Sequence, residues 1–111
     1  MTIWYTLDEH HRPVPCECVL DYVEWHSSMP EKSDWYSMKT GIGFSVANTH
    51  LPDGRRVSTV YLGLDHSFGE DPPLLWETMV FPEANVCERY ETLEQAIQGH
   101  REICDGCAEA A

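Results

Sequence analysis

Hydrophobic and polar positions change rhythm several times along this chain, and each change marks an expected element. The opening apolar group Ile3, Trp4, Tyr5 and Leu7 gives way to the proline-bearing stretch His10 to Pro15, which predicts a short strand and a stiff connector. From there Cys16, Val19, Leu20 and Val23 follow the i, i+3, i+4, i+7 spacing of one helical face. That spacing predicts a helix over about 16–27, with the aliphatic stripe turned to the core and Tyr22 and Trp25 lying off it. Ser27 to Pro30 ends the helix, and residues 31–39 show no period and read as a loop carrying Trp35 and Tyr36.

The period then switches to two. Ile42, Phe44 and Val46 alternate with Gly43, Ser45 and Ala47, and a β-branched run resumes from Val57 to Leu64 after the turn signal Pro52-Asp53-Gly54, so the pair reads as an antiparallel hairpin. Leu74 to Phe81 is apolar on both faces except at Glu77, which places it inside the sheet or under a helix. A short strand over 86–91 leads to Thr92-Leu93-Glu94-Gln95, a capping-box pattern that starts the last helix at Thr92. Along that helix Leu93, Ala96, Ile97, His100, Cys104 and Cys107 form one stripe directed at the sheet. The expected fold is a single α+β domain over 1–111, an antiparallel sheet of four to five strands packed against two helices.

Composition narrows the function classes. Seven Lys and Arg against nineteen Asp and Glu give a net charge of −12, a surface that repels phosphate backbones and argues against direct nucleic-acid binding. No apolar run approaches the roughly 18 residues of a membrane helix, and the N-terminus has no basic region ahead of an apolar one, so a cytoplasmic protein without membrane contact is expected. Five cysteines without a secretion signal are expected as thiols.

Val57 to His66, Gly69, Pro72 to Phe81, Glu88 to Thr92 and Gly99-His100 together resemble a group of small bacteriophage and prophage proteins of uncharacterised function, and the likeness extends more loosely to Trp4 to Asp8 and the first helix. The resemblance implies a phage-encoded protein working in the cytoplasm of the infected host. It brings no catalytic residues with it, and the cysteines Cys16, Cys18, Cys104 and Cys107 are outside its pattern.

Those four cysteines are nevertheless a sufficient donor set for tetrahedral zinc if the start of the first helix meets the end of the last; otherwise they are free thiols packed as small hydrophobes. Redox chemistry at Cys104 and Cys107 is disfavoured, because a helix C-terminus raises a thiol pKa where redox motifs need it lowered. His100 stands one turn before Cys104 and would complete a three-ligand set on the same helix, or else is an ordinary packed histidine. Asp65, His66, Glu70 and Asp71, with Glu77 behind them, would suit a divalent cation or an acid and base pair if the loop folds back on the strand, yet no phosphate loop, nucleophile elbow or calcium-loop pattern accompanies them. Glu77 itself reads as half of a register-fixing ion pair with Arg89 on the next strand.

Tyr22, Trp25, Trp35 and Tyr36, left off the aliphatic stripes of an acidic chain, suit contact with a protein partner. The reading is therefore a non-enzymatic phage accessory protein without cofactor that binds a host or phage protein, in one form as an acidic inhibitor occupying a nucleic-acid-binding or defence protein. Its expected contact residues are Asp65, His66, Phe68, Glu70 and Asp71 in the long loop and Glu88, Glu91 and Glu94 further on. The competing expectation is a zinc-stabilised domain or small metal-dependent enzyme. Phe68 is either an exposed anchor or a plug in the end of the core. Phe68→Ala decides between them: a plug loses roughly 3–5 kcal/mol in chemical denaturation, whereas an anchor keeps its stability and loses partner binding.

Overall fold

Alternating burial along Arg56–Tyr61 (β5) sets the frame: Val57, Thr59 and Tyr61 are buried, and Arg56, Ser58 and Val60 are half-buried on the opposite face. A computed structural model describes residues 4–65, 72–83 and 85–110. In it β5 pairs antiparallel with Phe44–His50 (β4) on one side and with Trp76–Phe81 (β6) on the other. Met38–Lys39 (β3) and Asn85–Tyr90 (β7) form the two edges, giving an all-antiparallel five-stranded sheet in the order β3-β4-β5-β6-β7. The expected α+β class, with a mainly antiparallel sheet against two helices, is the one observed.

A second, two-stranded sheet joins Tyr5–Leu7 (β1) to Pro13–Pro15 (β2), so the stretch expected as a connector is itself a strand. The backbone N–H groups that Pro13 and Pro15 lack are not missed, because β2 has a pairing partner on one side only. Asp8 closes this hairpin by accepting from the backbone N–H groups of His10 and Arg12 with one carboxylate oxygen. The β4–β5 turn is the expected one: Gly54 adopts φ +93°, a left-handed conformation that glycine holds without strain. Arg55 pairs with Asp53 there and donates 2.9 Å to the carbonyl of Cys107, tying the turn to the last helix.

Residues opposite one another across the strands share a face. Trp76, Thr78 and Val80 of β6 therefore lie with Val57, Thr59 and Tyr61; the second helix packs on this face, and Trp25 of the first helix reaches it through Phe44 and Tyr61. Leu93–Ala110 (α2) crosses β4 to β7, burying Leu93, Ala96 and His100 as its period predicts. Its start is capped by Thr92, whose hydroxyl accepts from Gln95 N–H at 3.1 Å, while the Gln95 side chain reaches back one residue further than a capping box requires, to Glu91 N–H. On the opposite face Glu77 and Arg89 stand directly across from each other and pair at 3.5 Å, the register-fixing contact the sequence suggested.

Val19–Ser28 (α1) corrects the expected orientation of the first helix. The face turned to the core carries Tyr22 and Trp25, with His26 beside them, while Val19, Leu20 and Val23 are exposed. The aliphatic stripe loses because the aromatic one buries more area and makes oriented contacts as well. Trp25 meets the edges of Phe44 and Tyr61 at 5.4 and 6.2 Å, and Tyr22 donates 2.6 Å to the carbonyl of Ile42. Gly63, at φ +71°, makes room for the Tyr22 ring, since a Cβ there would lie 2.2 Å from it. Trp35 and Tyr36 are likewise core residues packed on Phe44, so this aromatic set is spent on folding and is not an exposed contact surface. No described helix is long and apolar enough to cross a membrane.

The inverted helix makes a direct test. Tyr22→Ala should cost about 3–5 kcal/mol in urea denaturation and Leu20→Ala no more than about 0.5. Comparable losses from the two would restore the aliphatic-inward helix.

Candidate functional site: an acidic groove at the sheet edge

On the helix-covered face β7 runs past the flank of α2, and an open groove of about 680 Å³ lies between them. Tyr90 and Gly99 meet at its floor. A Cβ on Gly99 would fall 2.3–2.5 Å from the Tyr90 ring and hydroxyl, so only glycine lets the helix settle this close. Glu88, opposite inward-facing Thr78, is on this same face but outside the helix, and so lines the groove with Glu94 and Glu102 of α2. Gln95 and Gln98 complete the polar wall, and Gln98 donates 3.1 Å to Glu102. Arg89 also borders the groove, but its guanidinium is paired with Glu77. Three carboxylates are thus gathered along a sheet edge, an arrangement that favours cationic side chains and repels phosphate.

Of the expected contact residues, the structure brings Glu88 and Glu94 together here and leaves Glu91 at the helix start, where its carboxylate accepts from the Gln95 amide at 3.3 Å. Glu102 was not expected. Its signal was present in the sequence, as it lies eight residues after Glu94 on the same helical flank. Asp65 is structural: its carboxylate accepts from Leu74 N–H at 3.1 Å and closes the base of the long connection. His66, Phe68, Glu70 and Asp71 lie outside the described residues.

The thiols expected as a zinc set are not brought together. Cys16 N–H bonds the carbonyl of Trp4, beside the Tyr61 end of β5, whereas Cys107 sits against Arg55 at the other end. A strand of this length separates those ends by about 17 Å, against the ~2.3 Å of a zinc–thiolate bond. Burial pushes the Cys16 thiol up, and Cys18 is exposed at the entry to α1. Among the described residues no three His, Cys, Asp or Glu side chains converge in a metal-binding geometry.

His100 does not face Cys104 either. Its Nδ1 and Nε2 lie 2.8 Å from the hydroxyls of Thr59 and Thr49, Thr59 continues to Thr78, and Tyr90 donates 3.0 Å to Thr78. This buried chain crosses β4, β5, β6 and β7 under the helix. The sequence hint was a threonine at two core-facing positions, Thr59 between Val57 and Tyr61 and Thr78 between Trp76 and Val80. A neutral ring has one donor and one acceptor, and a hydroxyl serves as either, so both ring nitrogens are satisfied. The chain matches no protein-family model, no curated protein and no solved structure.

Burial holds the His100 pKa below the ordinary histidine value of 6.5. Because the folded state resists the proton that the unfolded chain accepts, its contribution to stability is complete above pH ~6.5 and is lost as the pH falls from there through the depressed value. Denaturation midpoints of the native chain should therefore decrease as the pH drops below about 6.5, and His100→Gln should remove that part of the slope. An unchanged slope would show that the ring titrates freely.

Proposed function

We propose that this protein is a non-enzymatic accessory protein, of the phage-encoded kind its sequence resembles, acting in the bacterial cytoplasm by binding a basic host or phage protein. The groove between β7 and α2 carries the reading: Glu88, Glu94 and Glu102 line it on a chain of net charge −12. Such a groove suits lysine and arginine side chains of the sort that otherwise hold nucleic acid, so the partner class is a nucleic-acid-binding or defence protein whose basic surface becomes covered. Binding is favoured over catalysis by the state of the buried groups. His100 has both ring nitrogens committed to threonines, and Glu77 is paired with Arg89. A zinc-stabilised domain built on Cys16, Cys18, Cys104 and Cys107 gains no support from their placement at opposite ends of β5.

Capture from nuclease-treated bacterial lysate tests the proposal. The native chain should retain basic nucleic-acid-binding proteins at about 50 mM salt and lose most of them by about 200 mM. A Glu88→Gln, Glu94→Gln, Glu102→Gln variant should lose them at low salt, with stability changed by no more than about 0.5 kcal/mol per exposed site. Retention that is indifferent to salt and to the triple substitution would overturn it.

A further inference from the structure

The aliphatic residues of α1 face outward as a group. Leu20 is 67% exposed, Val23 49% and Val19 44%, and Ile42 on the adjoining turn is 55% exposed. Single exposed aliphatics are ordinary, but a contiguous group is the mark of a contact surface. Val19, Val23 and Ile42 border a hollow of about 210 Å³ that Trp4 and Tyr22 also line. It is smaller than the roughly 300–1,000 Å³ of small-molecule sites and suits one large side chain. Its walls are fixed before anything binds: Tyr22 bonds the carbonyl of Ile42 at 2.6 Å and His26 Nε2 lies 2.9 Å from the carbonyl of Gly43.

Charge says what enters. Leu20 stands between the hollow and an acidic flank: Glu24 lies one turn on from it at i+4, and Asp21 on the helix and Glu17 just ahead of the N-cap Cys18 are exposed as well. A second copy of this chain would bring the same acids and another net charge of −12 to the contact, and an anionic membrane would be repelled likewise. We infer that this face docks a basic amphipathic helix of a partner protein, with one large apolar side chain seated in the hollow and Lys or Arg one turn away facing Glu17, Asp21 and Glu24. This is the helix-in-groove mode of recognition with an acidic rim. The surface shares no residue with the β7–α2 groove, so it stands or falls separately from the function proposed above.

The probe is a synthetic amphipathic helix of Leu and Lys with leucines at heptad a and d positions, titrated into the full chain at low salt and followed by backbone amide NMR. Shifts should map to residues 19–24 and 41–43. Leu20→Asp and Val23→Asp should each weaken binding about tenfold or more with an unchanged Tm, since both side chains are exposed. Asp21→Asn with Glu24→Gln should flatten the salt dependence, and the same peptide with Glu for Lys should not bind. Shifts confined to Glu88, Glu94 and Glu102, full affinity in Leu20→Asp, or equal binding of the Glu peptide would overturn the inference. A concentration-dependent dimer abolished by Leu20→Asp would assign the face to a second copy and overturn it too.

Discussion

The buried ring of Tyr61 is where the separate parts of this chain are joined. It lies 4.7 Å from the Trp76 ring on β6 and within 5.9–6.3 Å of Trp35, Trp25 and Phe44, which belong to the loop, the first helix and β4. Its hydroxyl donates 2.6 Å to the carbonyl of Tyr5, so the small β1–β2 sheet is pinned to the large one through the same side chain. Burial drives the phenol pKa far above its usual value, so the group stays neutral and remains a donor at any ordinary pH. An aromatic of this size does the work because small domains have little apolar area to spend, and each large ring buries some 150–250 Å².

The two ends of the core are held together by different chemistry. Around Tyr61 the contacts are ring against ring, while beneath α2 the threonine chain on His100 replaces hydrocarbon with directed hydrogen bonds. Directed bonds fix one register for the helix over the sheet, whereas apolar packing alone tolerates sliding. The placement of Glu88, Glu94 and Glu102 along one groove depends on that register, as does the close approach of Gly99 to Tyr90.

What was legible in the sequence follows from which signal dominated locally. The second helix was readable because its cap, its period and its buried stripe agree, and the Glu77–Arg89 pair because strand alternation left one carboxylate needing a cation. The first helix was misread because a template that counts aliphatic positions gives Val19, Leu20 and Val23 the vote, although the bulkier Tyr22 and Trp25 decide where the helix lies. Residues 31–39 had no period to read because Trp35 and Tyr36 pack as consecutive residues of a loop, stacked edge to face at 4.6 Å. The zinc set failed for a reason spacing along the chain does not carry, namely that β5 stands between its halves. The threonine chain was invisible to propensity alone, since threonine at a strand position satisfies β preference whether or not it meets a histidine.

The cover that α2 places over β4 to β7 has a consequence for how the chain is born. Contacts that complete the core join residues far apart in sequence: Thr49 to His100 across 51 positions, Arg55 to Cys107 across 52 and Tyr5 to Tyr61 across 56. Such closures are entropically slow, and none beneath α2 forms before residues 93–107 exist. At synthesis rates of roughly 5–20 residues per second, the inward faces of Val57, Trp76 and Val80 stand open for a second or more on the ribosome. During that interval the nascent sheet is an apolar surface without its helix, open to association with other chains until α2 closes over it.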